Sequence, residues 1–171
     1  MKLNKIFSAL VLASGVAAFG AQADQGSGVV TFTGSVIDAP CSIAAGDDDQ
    51  TIDLGQVSST AVANGGTSTP VPFYIHLENC SVDTANTVTT TFTGADSSVS
   101  GASLGVTGNA TDVGIVLTDG DSNAVTLGQA TSGQTIQNGD NTLVYSAYII
   151  GGEAPTEGDF TSVTNWTLAY E

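Results

Sequence analysis

Apolar and polar side chains alternate along much of this chain, as they do in strands that bury one face. Six stretches share this period of two, and their apolar positions are Ile52 and Leu54; Val71, Phe73, Ile75 and Leu77; Val88 and Phe92; Val113, Ile115 and Leu117; Leu143, Tyr145, Ala147 and Ile149; Trp166, Leu168 and Tyr170. Clusters of Gly, Asn and Asp separate the stretches and predict turns. The pattern favours an all-β, immunoglobulin-like sandwich.

The alternation changes phase between residues 30 and 43. Even positions from 30 to 36 are apolar or small, whereas odd positions from 37 to 43 carry the apolar side chains. A shift of one residue turns every side chain to the other face, so one flat strand cannot bury both halves. The sequence predicts either a bulge near Val36 or two strands with different partners, of which the second begins the domain's own sheet.

The last predicted strand, from Trp166 to Glu171, runs into the C-terminus. An immunoglobulin-like sandwich needs a further strand beside it, and we expect the chain to have none left to supply. We therefore predict an open groove flanked by unpaired backbone groups, which are costly to leave unpaired where water is excluded.

The first 23 residues have the composition of a secretory signal peptide. Lys2 and Lys5 precede an apolar run from Ile6 to Phe19, and Ala21-Gln22-Ala23 forms an A-x-A cleavage site. We expect cleavage after Ala23. No later stretch is long and apolar enough to span a membrane as a helix.

Removal of this segment changes the charge of the chain. Lys2 and Lys5 are the only basic residues and all 17 acidic residues follow Ala23, so the mature chain has a net charge of −17. Such a chain cannot neutralise phosphates, which excludes nucleic acid as a partner. It cannot attract an anionic membrane surface either. Its length suits one domain.

Cys41 and Cys80 are the only cysteines. An even count in an exported protein most often indicates a disulfide, which on the chain-entropy model would stabilise this fold by roughly 4 kcal/mol. A zinc site is disfavoured, because two distant cysteines and one histidine are too few ligands.

The sequence offers little for an enzyme or a cofactor. His76 is the only histidine and lies between Ile75 and Leu77, so we expect an exposed strand residue rather than a catalytic base. No glycine-rich loop ends in the lysine of a nucleotide site. Two acidic runs, at 47–49 and 119–123, are better explained as a solvated loop and a hairpin turn than as calcium sites. We predict no catalytic residue, no metal and no cofactor.

Several short motifs follow one another in a recognisable order. They are G-x-V-x-F-x-G-x-V-x-x-A-P-C from Gly28 to Cys41, D-L-G-Q-V from Asp53 to Val57, F-x-I-x-L-x-N-C from Phe73 to Cys80, Val113 to Leu117, Tyr145 to Tyr148, and the penultimate Tyr170. With these motifs the chain resembles the major subunits of chaperone-usher fimbriae of the type 1 and P-pilus class. It departs slightly from that pattern, with Tyr145 where the family usually has Phe.

The resemblance implies donor-strand complementation, in which a strand from another molecule completes the sheet. A subunit of that family lacks the last strand of its immunoglobulin-like fold. A periplasmic chaperone lends a strand first, and the N-terminal extension of the next subunit replaces it at an outer-membrane usher. On this basis the chain divides into a signal peptide (1–23), a donor-strand extension (24–36) and an incomplete pilin domain (37–171).

The resemblance also implies roles for individual residues. The inserted side chains are Val30, Phe32, Gly34 and Val36, with Gly34 at a pocket too crowded for a side chain. The chaperone contacts the C-terminal strand through Trp166, Leu168, Tyr170 and Glu171. Cys41 and Cys80 form the disulfide that ties the first two strands.

The predicted function is that of a structural subunit, the major one of the shaft, in a surface fimbria that mediates cell adhesion and biofilm formation. The alternative is a minor or adaptor subunit with a direct receptor-binding role. Expected partners are other copies of the chain, the chaperone, the usher and other fimbrial subunits. The expected route leads through the periplasm to an extracellular fimbrium on a Gram-negative cell.

Overall fold

The computed structural model describes residues 27–34, 36, 39–101 and 103–171. They fall into two units, of which the first ends at Val36 and the second is Ile37–Glu171. The predicted signal peptide lies outside the described residues, as do Ile37 and Asp38 at the predicted change of phase.

Short strands make up nearly all the regular structure of the second unit. In its described residues they are β1 (Ser42–Ile43), β2 (Val71–Cys80), β3 (Thr87–Gly94), β4 (Leu104–Gly105), β5 (Thr107–Gly108), β6 (Val113–Thr118), β7 (Gln134–Thr135), β8 (Gly139–Gly151), β9 (Phe160–Thr161) and β10 (Thr164–Tyr170), with one short helix, α1 (Ser59–Val62). The predicted all-β class is confirmed.

The strands form two antiparallel sheets that share one core. The first sheet has the order β1-β2-β8-β6-β4 and the second has the order β10-β3-β7, while β5 and β9 form a separate ribbon. Ile75 and Leu143 pair across the first sheet and are each 1% exposed. Phe92 of the second sheet packs edge-on against Tyr145 of the first, with ring centroids 5.2 Å apart. These contacts join the two sheets through the apolar faces that the alternation predicted.

One predicted strand is absent. Residues 51–58 form no strand, although Leu54 packs against the core. The backbone N–H of Gly55 donates to the Asp53 side chain at 2.8 Å, and Gly55 has a φ of 71°. This turn breaks the extended backbone that the apolar spacing of Ile52 and Leu54 suggested. The four-residue helix α1 follows; it is too short to leave a helical period in the sequence, but it buries Val62.

The predicted disulfide between Cys41 and Cys80 is confirmed. Both cysteines are buried, and they join the residue before β1 to the last residue of β2. Strand β1 is shorter than the predicted stretch from 37 to 43, since only Ser42 and Ile43 pair with β2. Backbone hydrogen bonds from Ala44 to His76 and from Ser81 to Pro40, both 2.9 Å long, flank this pairing, and the disulfide adds a covalent link.

A buried polar contact also joins the two sheets. The hydroxyls of Thr90 on β3 and Tyr145 on β8 lie 2.6 Å apart, and Gln134 donates to the same tyrosine oxygen at 3.1 Å. Burial raises the pKa of Tyr145, and the hydrogen bond with Thr90 opposes that rise only in part. The phenol therefore stays protonated and bonded inside the core.

Replacing Tyr145 with Phe should lower the free energy of unfolding by about 1 to 3 kcal/mol, because the fully buried Thr90 hydroxyl loses its partner. Adding Thr90→Val to Tyr145→Phe should recover part of this loss, since no buried polar group is then left unpaired. Urea denaturation measures both effects. Tyr74→Phe is the matched control, because that tyrosine is 41% exposed, and equal losses at Tyr74 and Tyr145 would contradict the role of the buried contact.

Candidate assembly edge

Strand β10 lies at one edge of the second sheet. It pairs with β3 in continuous antiparallel register, from Thr164 opposite Gly94 to Tyr170 opposite Val88. Among the described residues, no strand pairs with the other side of β10. We call that side the assembly edge.

The register decides which backbone groups face the assembly edge. Glu171 and Thr87 exchange two hydrogen bonds, N to O at 2.9 and 3.0 Å. Along an antiparallel ladder, residues whose backbone groups bond to the partner strand alternate with residues whose backbone groups point away from it. Since Glu171 bonds to β3, the residue before it points away, and so does every second residue from there back along β10. The N–H and C=O groups of Trp166, Leu168 and Tyr170 therefore point away from β3, in the positions that a further strand would bind.

The same three residues turn their side chains toward the core. Trp166, Leu168 and Tyr170 are only half-buried and pack against the core cluster. The residues that alternate with them, Asn165, Thr167 and Ala169, are exposed. Burial is sufficient to raise the pKa of the Tyr170 phenol. The assembly edge thus combines unpaired backbone with an apolar surface that is incompletely covered.

The outer edge of β2 has a different environment. Asp47 accepts hydrogen bonds from the backbone N–H and, at 2.8 Å, from Nδ1 of His76, and the Gln50 side chain donates to the Tyr74 carbonyl at 2.7 Å. These loop side chains occupy backbone groups that another chain could otherwise pair with. His76 is half exposed, and its contacts are those of a structural residue.

The N-terminal unit carries large apolar side chains in water. Val30, Phe32 and Val36 are 74%, 89% and 102% exposed, and the described residues from 27 to 34 form no regular structure. A Cβ atom added to Gly34 would meet no atom within 4 Å, and its φ lies outside the left-handed region. Among the residues that the structure describes, neither space nor backbone conformation accounts for the glycine.

The loop at 119–123 is a hydrogen-bonded turn. Asp119 accepts from the backbone N–H groups of Asp121 and Asn123 at 3.0 and 2.9 Å. Burial raises the pKa of the Asp119 carboxyl, but hydrogen bonds from Asn123, Ser132 and Asp121 outweigh burial and leave that pKa lowered. Across the described ranges, no group of three or more His, Cys, Asp or Glu side chains is placed to hold a metal ion.

Comparison with known proteins identifies the family. The model of the fimbrial protein family matches residues 30–171.

The chain belongs to the fimbrial protein family.

Two bacterial relatives of this fimbrial protein match it over their full length. It is 51% identical to the fimbria A protein of Serratia marcescens, and the alignment covers 100% of both chains. It is 44% identical to the major MR/P fimbria protein of Proteus mirabilis strain HI4320, again over 100% of both chains. The predicted resemblance to a major fimbrial subunit is confirmed.

Solved structures agree with the fold of this fimbrial protein. A chaperone-usher pilus subunit, studied for rod uncoiling, superposes with a TM-score of 0.74 at 35% identity, covering 86% of this chain and 97% of that chain. The P pilus rod subunit PapA gives a TM-score of 0.68 at 33% identity, covering 78% of this chain and all of that chain. The fold is that of the chaperone-usher pilins, with the predicted immunoglobulin-like architecture.

The structure brings together some of the residues that sequence reasoning selected. Trp166, Leu168 and Tyr170 line the assembly edge, whereas the backbone of Glu171 bonds to Thr87 of β3 on the opposite side. The pairing of Asp47 with His76 was missed. The two residues are 29 positions apart, and no local sequence pattern predicts their contact. No helix in the part of the chain described is long and apolar enough to cross a membrane.

The register predicts an alternating pattern of amide exchange along β10. The N–H groups of Trp166, Leu168 and Tyr170 should exchange with solvent deuterium much faster than those of Thr167 and Ala169, because only the latter two bond to β3. Hydrogen exchange of the isolated subunit, followed by NMR, measures this, and the alternate residues of the same strand act as internal controls. Uniform protection along β10 would contradict an open edge.

Proposed function

We propose that this fimbrial protein is the major structural subunit of a fimbrial shaft and that it polymerises by donor-strand exchange. The observation that carries the proposal is the assembly edge, where Trp166, Leu168 and Tyr170 present outward backbone groups and incompletely buried side chains. An exposed apolar segment at the other end of the chain is complementary to that edge. One subunit's segment would fill the next subunit's edge.

The side chains of the segment suit this role. If Val30, Phe32 and Val36 become fully buried at about 1.5 to 3 kcal/mol each, they contribute roughly 5 to 9 kcal/mol. Backbone hydrogen bonds to β10 add to this, as in other cases of strand addition. Because all three residues are exposed in the single chain, this stabilisation is gained only when they become buried.

Gly34 fits the same account. In the single subunit, a Cβ atom added to this glycine would meet no atom within 4 Å, so a side chain could be accommodated there. We infer that the constraint is intermolecular, where the inserted strand passes closest to the neighbour's core. A side chain at this position would then obstruct insertion without affecting the subunit that carries it.

Export and assembly complete the proposal. The signal peptide would direct the chain to the periplasm of a Gram-negative cell. There a chaperone would contact the C-terminal strand through Trp166, Leu168, Tyr170 and Glu171. At an outer-membrane usher, the N-terminal extension of the next subunit would replace the chaperone's strand. The extracellular fimbria would then serve adhesion and biofilm formation by carrying other subunits, including a tip adhesin. The exposed side chain of Glu171 suits a basic residue of the chaperone.

Gly34→Asn should abolish fibre formation by the mature chain while leaving the fold of the subunit unchanged, because only the inserted strand needs the space. Thr33→Asn is the matched control, because the side chain at position 33 would point out of the groove. This variant should still form fibres. Electron microscopy scores the fibres, and urea denaturation checks the fold. Fibres of normal abundance from Gly34→Asn, or from a chain lacking residues 24–36, would contradict donor-strand exchange.

A further inference from the structure

Val163 is an apolar side chain held in water just before β10. It is 71% exposed, and no other large apolar side chain described between residues 39 and 171 exceeds 41%. The Ser162 hydroxyl donates to the Gly105 carbonyl at 2.7 Å, and the Thr164 hydroxyl donates to the Thr93 carbonyl at 3.0 Å. These bonds fix the loop on both sides of Val163. A single exposed valine needs no explanation by itself, but this one lies at the start of the assembly edge.

The alternation of β10 begins before the strand itself. From 161 to 170, exposed residues alternate with half-buried residues without a break. Val163 belongs to the exposed set, together with Asn165, Thr167 and Ala169, and it is the large apolar member of that row. A strand that is added beside β10 and continues past Thr164 would therefore meet Val163 on the outer face of the second sheet.

The inserted segment and β10 match in length. The segment has four side chains to insert, at positions 30, 32, 34 and 36, and β10 has four half-buried positions, at 164, 166, 168 and 170. Strands in the sheets of such a sandwich run antiparallel. Pairing from end to end then sets Val30 opposite Tyr170 and Val36 opposite Thr164. In this register, position 37 lies opposite position 163.

The residue at position 37 is an isoleucine, and the change of phase in the sequence starts there. Ile37 lies outside the described residues, but it follows the inserted segment directly in the chain. Successive side chains of an extended strand point to opposite faces, so burial of Val36 turns Ile37 outward. An outward Ile37 and the exposed Val163 of the neighbouring copy then lie side by side.

We propose that Val163 is the docking site for Ile37 of the adjacent copy of this chain, the copy whose strand is added at the assembly edge. The inference rests on the proposed function, because the register exists only if residues 30–36 pair with β10. The contact covers the end of the inserted strand, where the pairing with β10 stops and separation of the two strands would begin. Opposed side chains of this kind stabilise the pairing of strands.

A disulfide between subunits tests this contact. The outward backbone groups of β10 belong to the even positions, so 37 and 163 form a non-hydrogen-bonded pair. The Cα atoms of such a pair are about 4.5 Å apart, a separation that a disulfide can span. Fibres that carry both Ile37→Cys and Val163→Cys should give covalent ladders of subunits on a denaturing gel without reductant, and reductant should remove the ladders.

Two further cysteine pairs are the matched controls. Thr33→Cys with Thr167→Cys lies in the same register, within the inserted strand, and should also give ladders. Val36→Cys with Val163→Cys is displaced by one residue, so that the two sulfur atoms point to opposite faces of the sheet. This second control should give no ladders.

The release of subunits from fibres tests the contact without new cysteines. Val163→Ser and Ile37→Ser should each make release in a fixed urea concentration about two- to fivefold faster, the effect of losing one cross-strand pair. The double variant should be no faster than either single variant, because both remove the same contact. Val144→Ser is the control, since Val144 is 39% exposed but lies on β8 of the first sheet, and its release rate should equal that of the wild type. Sedimentation of the fibres measures the released fraction.

The outcomes separate this inference from the proposed function. Wild-type chains that form no fibres would contradict donor-strand exchange and, with it, the contact. Fibres that give no ladder with cysteines at 33 and 167 would contradict the register and the contact, but not the exchange. Ladders from that pair and none from 37 and 163 would contradict the contact alone. So would release rates that are unchanged in the single variants or that multiply in the double variant.

Discussion

Unpaired backbone along β10 is the constraint on which the rest of this structure depends. The strand turns Trp166, Leu168 and Tyr170 toward the core, but among the described residues no strand lies beside the N–H and C=O groups of these three. Water can satisfy these groups only while the apolar side chains next to them also stay partly wet. Full burial of the core therefore requires a further strand, and on our account another molecule supplies it.

The features around this edge restrict which strand can be added. Side chains of Asp47 and Gln50 occupy the outer edge of β2, so that edge offers fewer backbone groups to a stray chain. Residues 24–171 hold 17 acidic side chains and no Lys or Arg, and this excess of negative charge opposes unspecific association of subunits. The exposed segment around Phe32 carries no charge from 28 to 36 and can approach an uncharged sheet. On our account, these features favour assembly at one edge of the subunit and disfavour association elsewhere.

Alternation in the sequence was sufficient to predict β2, β3, β6, β8 and β10, because each of these strands turns alternate apolar side chains toward a shared core. Strand β6 also buries Val116 on its other face. It failed at Ile52 and Leu54, where the Asp53 side chain and Gly55 form a turn that apolar spacing does not reveal. Alternation also could not predict contacts between residues far apart in the sequence, such as that of Asp47 with His76.

The candidate site was predictable in its side chains but not in its backbone. The apolar positions of β10 follow from the period of two, whereas the direction of its free N–H groups depends on the register with β3. The segment from Val30 to Val36 was distinguished by its apolar or small residues at even positions, opposite to the alternation that follows it. The role of Gly34 was predicted from the family resemblance. Among the described residues, a Cβ atom added to Gly34 would meet nothing within 4 Å, so the proposed role of this glycine depends on the neighbouring subunit.

The most direct test of the central claim adds a synthetic peptide of residues 28–36 to the chain 37–171. Urea denaturation should show the free energy of unfolding rising with peptide concentration, because the peptide binds only the folded domain. The control peptide has the same composition, but the residues of the pairs 30/31, 32/33 and 34/35 change places, so that threonine or serine takes the place of Val30, Phe32 and Gly34. Stabilisation by the first peptide and none by the second is the predicted result. Equal stabilisation by both peptides, or by neither, would contradict strand addition at β10.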